Sequence, residues 1–155
     1  MKDTDKNPYP KFLAMIATST VVMMILMYLN TYALDHIFWS ETRAYMALLM
    51  GATMAVVMLL FMLGMYPNKT ANLAIFGGSA AIFALSLWLV RSQATVGEVS
   101  WMKAMIPHHS IAILTSERAT IKDPRVRELA DGIIEAQRKE IAEMKALIAD
   151  LEKKD

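Results

Sequence analysis

Residues 44–65 read AYMALLMGATMAVVMLLFMLGM, 22 consecutive residues without a charge. As an α-helix rising 1.5 Å per residue this run extends about 33 Å, the depth of a bilayer's hydrocarbon core. A water-soluble helix of that length carries polar side chains on its outer face, so a run with no charged group has lipid for solvent. Two further runs flank it. Phe12 to Leu34 follows Lys2, Lys6 and Lys11, a basic start like that of a secretory leader, but it is too long and has no small-x-small cleavage site, so it reads as a retained helix. Ala71 to Val90 is interrupted only by Asn72, Gly77, Gly78, Ser79 and Ser86, and Gly77 with Ala81 forms a small-xxx-small pair suited to close helix packing. The expectation is three transmembrane helices over about 12–34, 44–65 and 71–90.

The rest of the composition fits that division. Hydrophobic residues make up 55% of the 155 and charged residues 20%, and the charges avoid the middle of the first ninety positions. A net charge of +1 provides no field for nucleic acid. With no cysteine there are no disulfides, thiolate metal sites or cysteine nucleophile. The segments 35–43 and 66–70 read as turns at the membrane surface. Lys2, Lys6, Lys11 and Lys69 share one side against Arg43, Arg91 and Lys103 on the other, a small excess that places the N-terminus in the cytoplasm. Three spans then carry the C-terminal part to the extracytoplasmic side, with Tyr32, Trp39, Tyr45 and Trp88 as an aromatic belt there.

After Arg91 a polar linker, 92–97, leads into a region of frequent charge, 98–155. Val99 to Thr120 reads as one helix, and Asp123-Pro124 opens another with Asp as N-cap and Pro in the first turn. In the last helix Val126, Leu129, Ile133, Ile134, Ile141, Met144, Ile148 and Leu151 recur at three- and four-residue steps opposite a charged face. Two helices closing on each other bury only one seam, too little for a free-standing fold. The expected fold is therefore all-α: three spans, then an antiparallel hairpin that is half of a four-helix bundle, completed by a homodimer or higher homo-oligomer.

The segment with chemical content is Trp101-Met102-Lys103-Ala104-Met105-Ile106-Pro107-His108-His109. Met105 lies three and four residues before the two histidines and Met102 seven before His109, so one helical face offers thioether and imidazole together. Those donors suit Cu(I), and by the same softness Ag(I), better than oxygen-seeking Mg²⁺ or Ca²⁺. Pro107 removes a helical hydrogen bond to the Lys103 carbonyl beside the pair. A tight turn at 121–122 sets His108 and His109 opposite Ile134 to Gln137, where the Gln137 amide interrupts an apolar repeat and is placed to orient a histidine, with Glu135 and Glu140 within a turn. The plainer reading of the same residues is two histidines on a partly exposed face and methionines filling the seam.

This C-terminal third resembles the bacterial family called domain of unknown function 305, through Met102, Met105-Ile106-Pro107-His108-His109, Ala112-Ile113, Asp123-Pro124-Arg125-Val126, Leu129-Ala130, Ile133-Ile134, Gln137 and Glu140-Ile141 with Met144. The resemblance covers about residues 98–152 and, with the three spans, extends to a membrane-anchored bacterial subgroup. It implies a ferritin-like helical domain of the periplasmic, copper-binding CopM type in the inner membrane, with His108, His109, Met102, Met105 and Met144 as candidate metal ligands. By the register of the hairpin Gln137 and Glu140 stand behind them, and the resemblance points to a copper ion as the bound species and periplasmic metal-handling proteins as partners. Where that family often has a methionine shortly after the histidine pair, this chain has Thr115.

An enzyme is not expected. No Glu-x-x-His of a di-iron oxidase is present, nor a nucleophile triad, phosphate-binding loop or dinucleotide fingerprint. In the second span Met46, Met50, Met54, Met58 and Met62 recur every four residues, but that step advances about 40° per repeat and the ladder spirals, so these residues read as packing. Without a metal, the last helix reads instead as an interaction or oligomerisation module.

Overall fold

The computed structural model describes residues 7–153 and contains, among them, five α-helices and no strand. They are α1 (Tyr9–Leu26), α2 (Glu41–Phe61), α3 (Lys69–Ser92), α4 (Glu98–Arg118) and α5 (Pro124–Leu151), with single 3-10 turns at Leu34–His36 and Leu63–Met65. Lys2 and Lys6, two of the N-terminal lysines in the orientation argument, lie outside the described residues. Helices α1, α2 and α3 are each long and apolar enough to cross a membrane. The chain divides into two compact units: the residues up to Leu26 with Thr42–Ala94, and Met27–Glu41 with Thr95 onward.

In the first unit, α2 buries a narrow stripe of mostly small residues, Ala47, Gly51, Ala52, Ala55 and Leu59. A Cβ on Gly51 would stand 2.3 Å from Thr20 Oγ1, so α1 and α2 approach as closely as glycine permits. The methionine ladder lies beside this stripe: Met58 and Met62 pack against the Phe12, Ala55, Leu59 and Tyr66 cluster, whereas Met46 is exposed. At one end of the helices the Tyr9 hydroxyl donates to Asn72 Oδ1 at 2.8 Å and accepts the Asn68 N–H at 3.0 Å. The Asn72 side-chain amide donates to the Tyr66 carbonyl at 2.8 Å. The Asn68 side chain caps α3 by accepting the Ala71 N–H. Such internal pairing is what a low-dielectric surrounding demands. Gly77 and Ala81 face outward instead of packing on a helix of this unit.

In the second unit, α4 and α5 close on Met102, Ile106 and Ile113 from one helix and Ile141, Met144 and Ile148 from the other. The three- and four-residue steps place each set on one face. Lys103 pairs with Glu152 and Glu117 with Arg138, so early α4 meets late α5. Asp123 accepts the Arg125 N–H and Pro124 begins α5, the start that the sequence predicts.

The apolar run 12–34 is not one helix. α1 stops at Leu26, and Met27–Glu41 folds onto α4 and α5 instead of forming a simple surface turn. Phe38 packs against the α4–α5 seam, Asp35 pairs with Lys145 at 2.6 Å, and the Ser100 hydroxyl donates to Glu41 at 2.9 Å. The Tyr32 N–H, which in a continued helix would bond a carbonyl four residues back, donates to Ser110 Oγ at 2.7 Å. A tertiary partner thus takes over the backbone bond that apolar content alone would assign to the helix.

Candidate metal centre

Pro107 sits inside α4 and has no N–H for the Lys103 carbonyl, so the turn carrying His108, His109 and Ser110 follows a missing rung of the helix. The two imidazoles leave this turn differently. His108 is exposed, whereas His109 is only 14% exposed at its side chain and its Nδ1 is fully covered. Their ring centroids are 6.2 Å apart with planes at 54°.

Opposite His109 stands Glu140 of α5, with its Oε2 3.1 Å from Nδ1. The two atoms attract at that distance but are not aligned as a hydrogen bond, so Nδ1 has no hydrogen-bond partner. Burial pushes the His109 pKa below the usual imidazole value, the Glu140 carboxylate opposes that shift, and the neighbouring His108 adds to it. The ring is therefore neutral at pH 7. A carboxylate facing Nδ1 favours the tautomer with its proton there, which leaves the Nε2 lone pair to act as a ligand.

Sequence reasoning set His109 opposite the Ile134 to Gln137 turn; the structure sets it opposite Glu140. The connection 119–123 is extended at both ends, with ψ 137° at Ala119 and 123° at Asp123, and this advances α5 along α4 by more than a tight turn allows. Gln137 is half-buried, its side chain makes no hydrogen bond among the described residues, and Glu135 is exposed. Met105 is half-buried against the seam one turn before the histidines. Met102 and Met144 are members of the seam itself, 4% and 6% exposed. Among the described residues no three His, Asp, Glu or Cys side chains converge. One chain thus presents two imidazoles, one mostly covered and one exposed, with a thioether one helical turn earlier. Thr115 is exposed, and its hydroxyl donates to the Ile111 carbonyl.

Two residues that sequence reasoning passed over adjoin this turn: Ser110, fully buried, and His36, whose Nδ1 lies 2.9 Å from Ser110 Oγ. A lone histidine in a connecting segment has no spacing to mark it, and only the fold brings it to α4.

The His109–Glu140 geometry has a direct test. Glu140→Gln removes the influence that raises the His109 pKa and leaves burial and His108, so His109 should stay neutral to a lower pH than in the parent protein. Histidine-resolved NMR titration of the full chain measures this, and an unchanged or higher His109 pKa would refute the assignment.

Residues 89–155 match the family described as domain of unknown function (DUF305). The chain is also similar to the uncharacterized protein L153 of Acanthamoeba polyphaga mimivirus, 34% identical over 106 residues that cover 67% of this chain and 68% of that protein. At 106 residues the alignment is longer than the matched domain and so runs into the apolar half. No solved structure matches. With that share of both chains aligned, the protein belongs to one family with the mimivirus protein, and it carries a DUF305 domain over residues 89–155.

Proposed function

We propose that the protein is a membrane-anchored, soft-metal-binding protein that takes copper as Cu(I), or silver, on His108, His109 and Met105, and serves metal tolerance or delivery rather than covalent chemistry. The observation that carries this reading is the His109 ring, buried at Nδ1 and backed by the Glu140 carboxylate, in the same turn as an exposed second imidazole. Soft thioether and imidazole donors, with no cluster of carboxylates among the described residues, favour Cu(I) over hard cations. Met102 and Met144 serve as the packed wall behind the site.

The second unit joins Met27–Glu41, which connects α1 to α2, with the chain that follows α3. A connecting segment and a tail packed together lie on one side of the bilayer, which agrees with α2 and α3 crossing as a pair. With the lysine excess at the N-terminus, that side is extracytoplasmic, and the membrane is the bacterial inner membrane. Periplasmic metal-handling proteins are then the exchange partners. Val126, Leu129 and Ile133 of α5 are exposed in the single chain, Leu129 at 65%, which favours a second copy of the hairpin completing a four-helix bundle. The same stripe is the observation behind an alternative reading, a helical interaction module for which the histidine pair is incidental.

The deciding experiment is a Cu(I) titration of the full-length protein in nanodiscs against a competing chelator, followed by anomalous scattering from Cu(I)-soaked crystals. Binding with a peak at His109 Nε2 supports the metal reading. Absence of both leaves the interaction module.

A further inference from the structure

The Met27–Glu41 segment has two faces. Leu29, Leu34 and Trp39 point outward and are exposed, whereas Ser40 and most of the His36 ring are covered and Phe38 packs on the seam. Its polar anchor is Ser110, which is fully buried. Ser110 Oγ accepts the Tyr32 N–H at 2.7 Å and lies 2.9 Å from His36 Nδ1. With one lone pair used by Tyr32, the hydroxyl proton is available to the Nδ1 lone pair of a neutral His36. Protonating His36 turns that acceptor into a donor, so the Ser110 proton loses Nδ1 as its acceptor and a charged ring is left in a mostly covered position beside Lys145.

We propose that residues 27–41 form an acid-released clasp, in which Tyr32 and neutral His36 grip Ser110 and thereby position the α4 turn that carries His108 and His109. Ser110 directly follows that pair, and the turn lacks a helical hydrogen bond at Pro107, so an outside grip substitutes for the missing rung. The consequence for metal rests on the function proposed above; the clasp itself does not.

The groups facing His36 set the direction of the switch. From its own segment comes Asp35, with Oδ1 3.9 Å from Nε2. From α5 comes the Lys145 ammonium, paired with the other Asp35 oxygen, and from α4 the uncharged Ser110 hydroxyl. Burial lowers the His36 pKa most, Lys145 lowers it further, and Asp35 opposes both. The docked segment therefore binds protons less readily than the free one. Docking is at full strength above the usual imidazole value of 6.5 and weakens as pH falls below it, until the docked ring itself takes the proton.

The test uses the metal-free, full-length protein in nanodiscs, with amide hydrogen exchange of residues 28–41, above all the Tyr32 amide, followed at about pH 7.5 and about pH 5. Protection, corrected for intrinsic exchange, should fall severalfold at the acid pH. His36→Asn keeps an acceptor near the Nδ1 position but does not titrate, and should stay protected at both. Ser110→Ala should be open at both. Equal protection of the parent protein at the two pH values, acid opening of His36→Asn as large as the parent's, or a closed Ser110→Ala would each overturn the clasp. In a second arm, Cu(I) affinity should drop more on acidification in the parent than in His36→Asn, since the histidine pair is the same in both. A clasp that opens while the two affinities fall in parallel overturns the positioning role alone. A protein that binds no Cu(I) but opens with acid leaves the clasp standing without the metal reading.

Discussion

On the proposed function, the double variant His108→Ala/His109→Ala is expected to lose Cu(I) affinity by at least about 100-fold while keeping the helix content of the parent. The magnitude follows from what surrounds a metal: removing a group that merely orients a ligand costs about 10- to 100-fold, so removing both imidazoles costs no less. A factor of 100 is about 2.7 kcal/mol. The two single variants are expected to differ. His109 is held by burial and by Glu140, so its geometry is set before metal arrives, whereas the exposed His108 must be ordered on binding. His109→Ala should therefore cost more than His108→Ala. Neither side chain belongs to the buried α4–α5 seam, so circular dichroism should separate lost binding from lost fold. Binding that survives in the double variant would remove the histidine pair from the function and favour the interaction module.

The parts of the molecule legible in the sequence are those fixed by local pattern. A charge-free run long enough for a bilayer identifies α2 by itself, Asp123-Pro124 marks the start of α5, and the steps Ile141, Met144, Ile148 mark the buried face of the last helix. What escapes the sequence depends on contacts between distant residues. Leu29, Tyr32 and Leu34 are as apolar as a span, and only the bond from Tyr32 to Ser110, 78 positions away, shows why α1 has ended by then. The partner of His109 depends on how far an extended connection advances α5, which selects Glu140 over Gln137. Val126, Leu129 and Ile133 keep the seam's periodicity and yet remain exposed, because periodicity tells which face is apolar and not whether one chain suffices to cover it.

That dependence on distant contacts makes the fragment 95–155, the obvious soluble version of the domain, a poor stand-in for it. Cutting away 27–41 removes Phe38 from the seam, the Asp35–Lys145 pair and both partners of Ser110, whose hydroxyl is fully buried in the whole chain. Loss of a partly buried phenyl ring is worth about 2 kcal/mol, and each lost hydrogen bond about 1 kcal/mol. Two helices sharing one seam have little stability beyond that total. The isolated fragment is therefore expected to melt without a cooperative transition. The same fragment preceded by 27–41 on a flexible Gly/Ser linker should melt cooperatively. Thermal circular dichroism at several protein concentrations reads both and separates folding from association, which stabilises in proportion to concentration. A cooperative, concentration-independent transition in the bare fragment, at the temperature of the linked one, would show that the clasp adds nothing to the fold. The expected result instead makes the connection between the first two spans part of the domain that carries the histidine pair, so metal titrations of that domain require the whole chain.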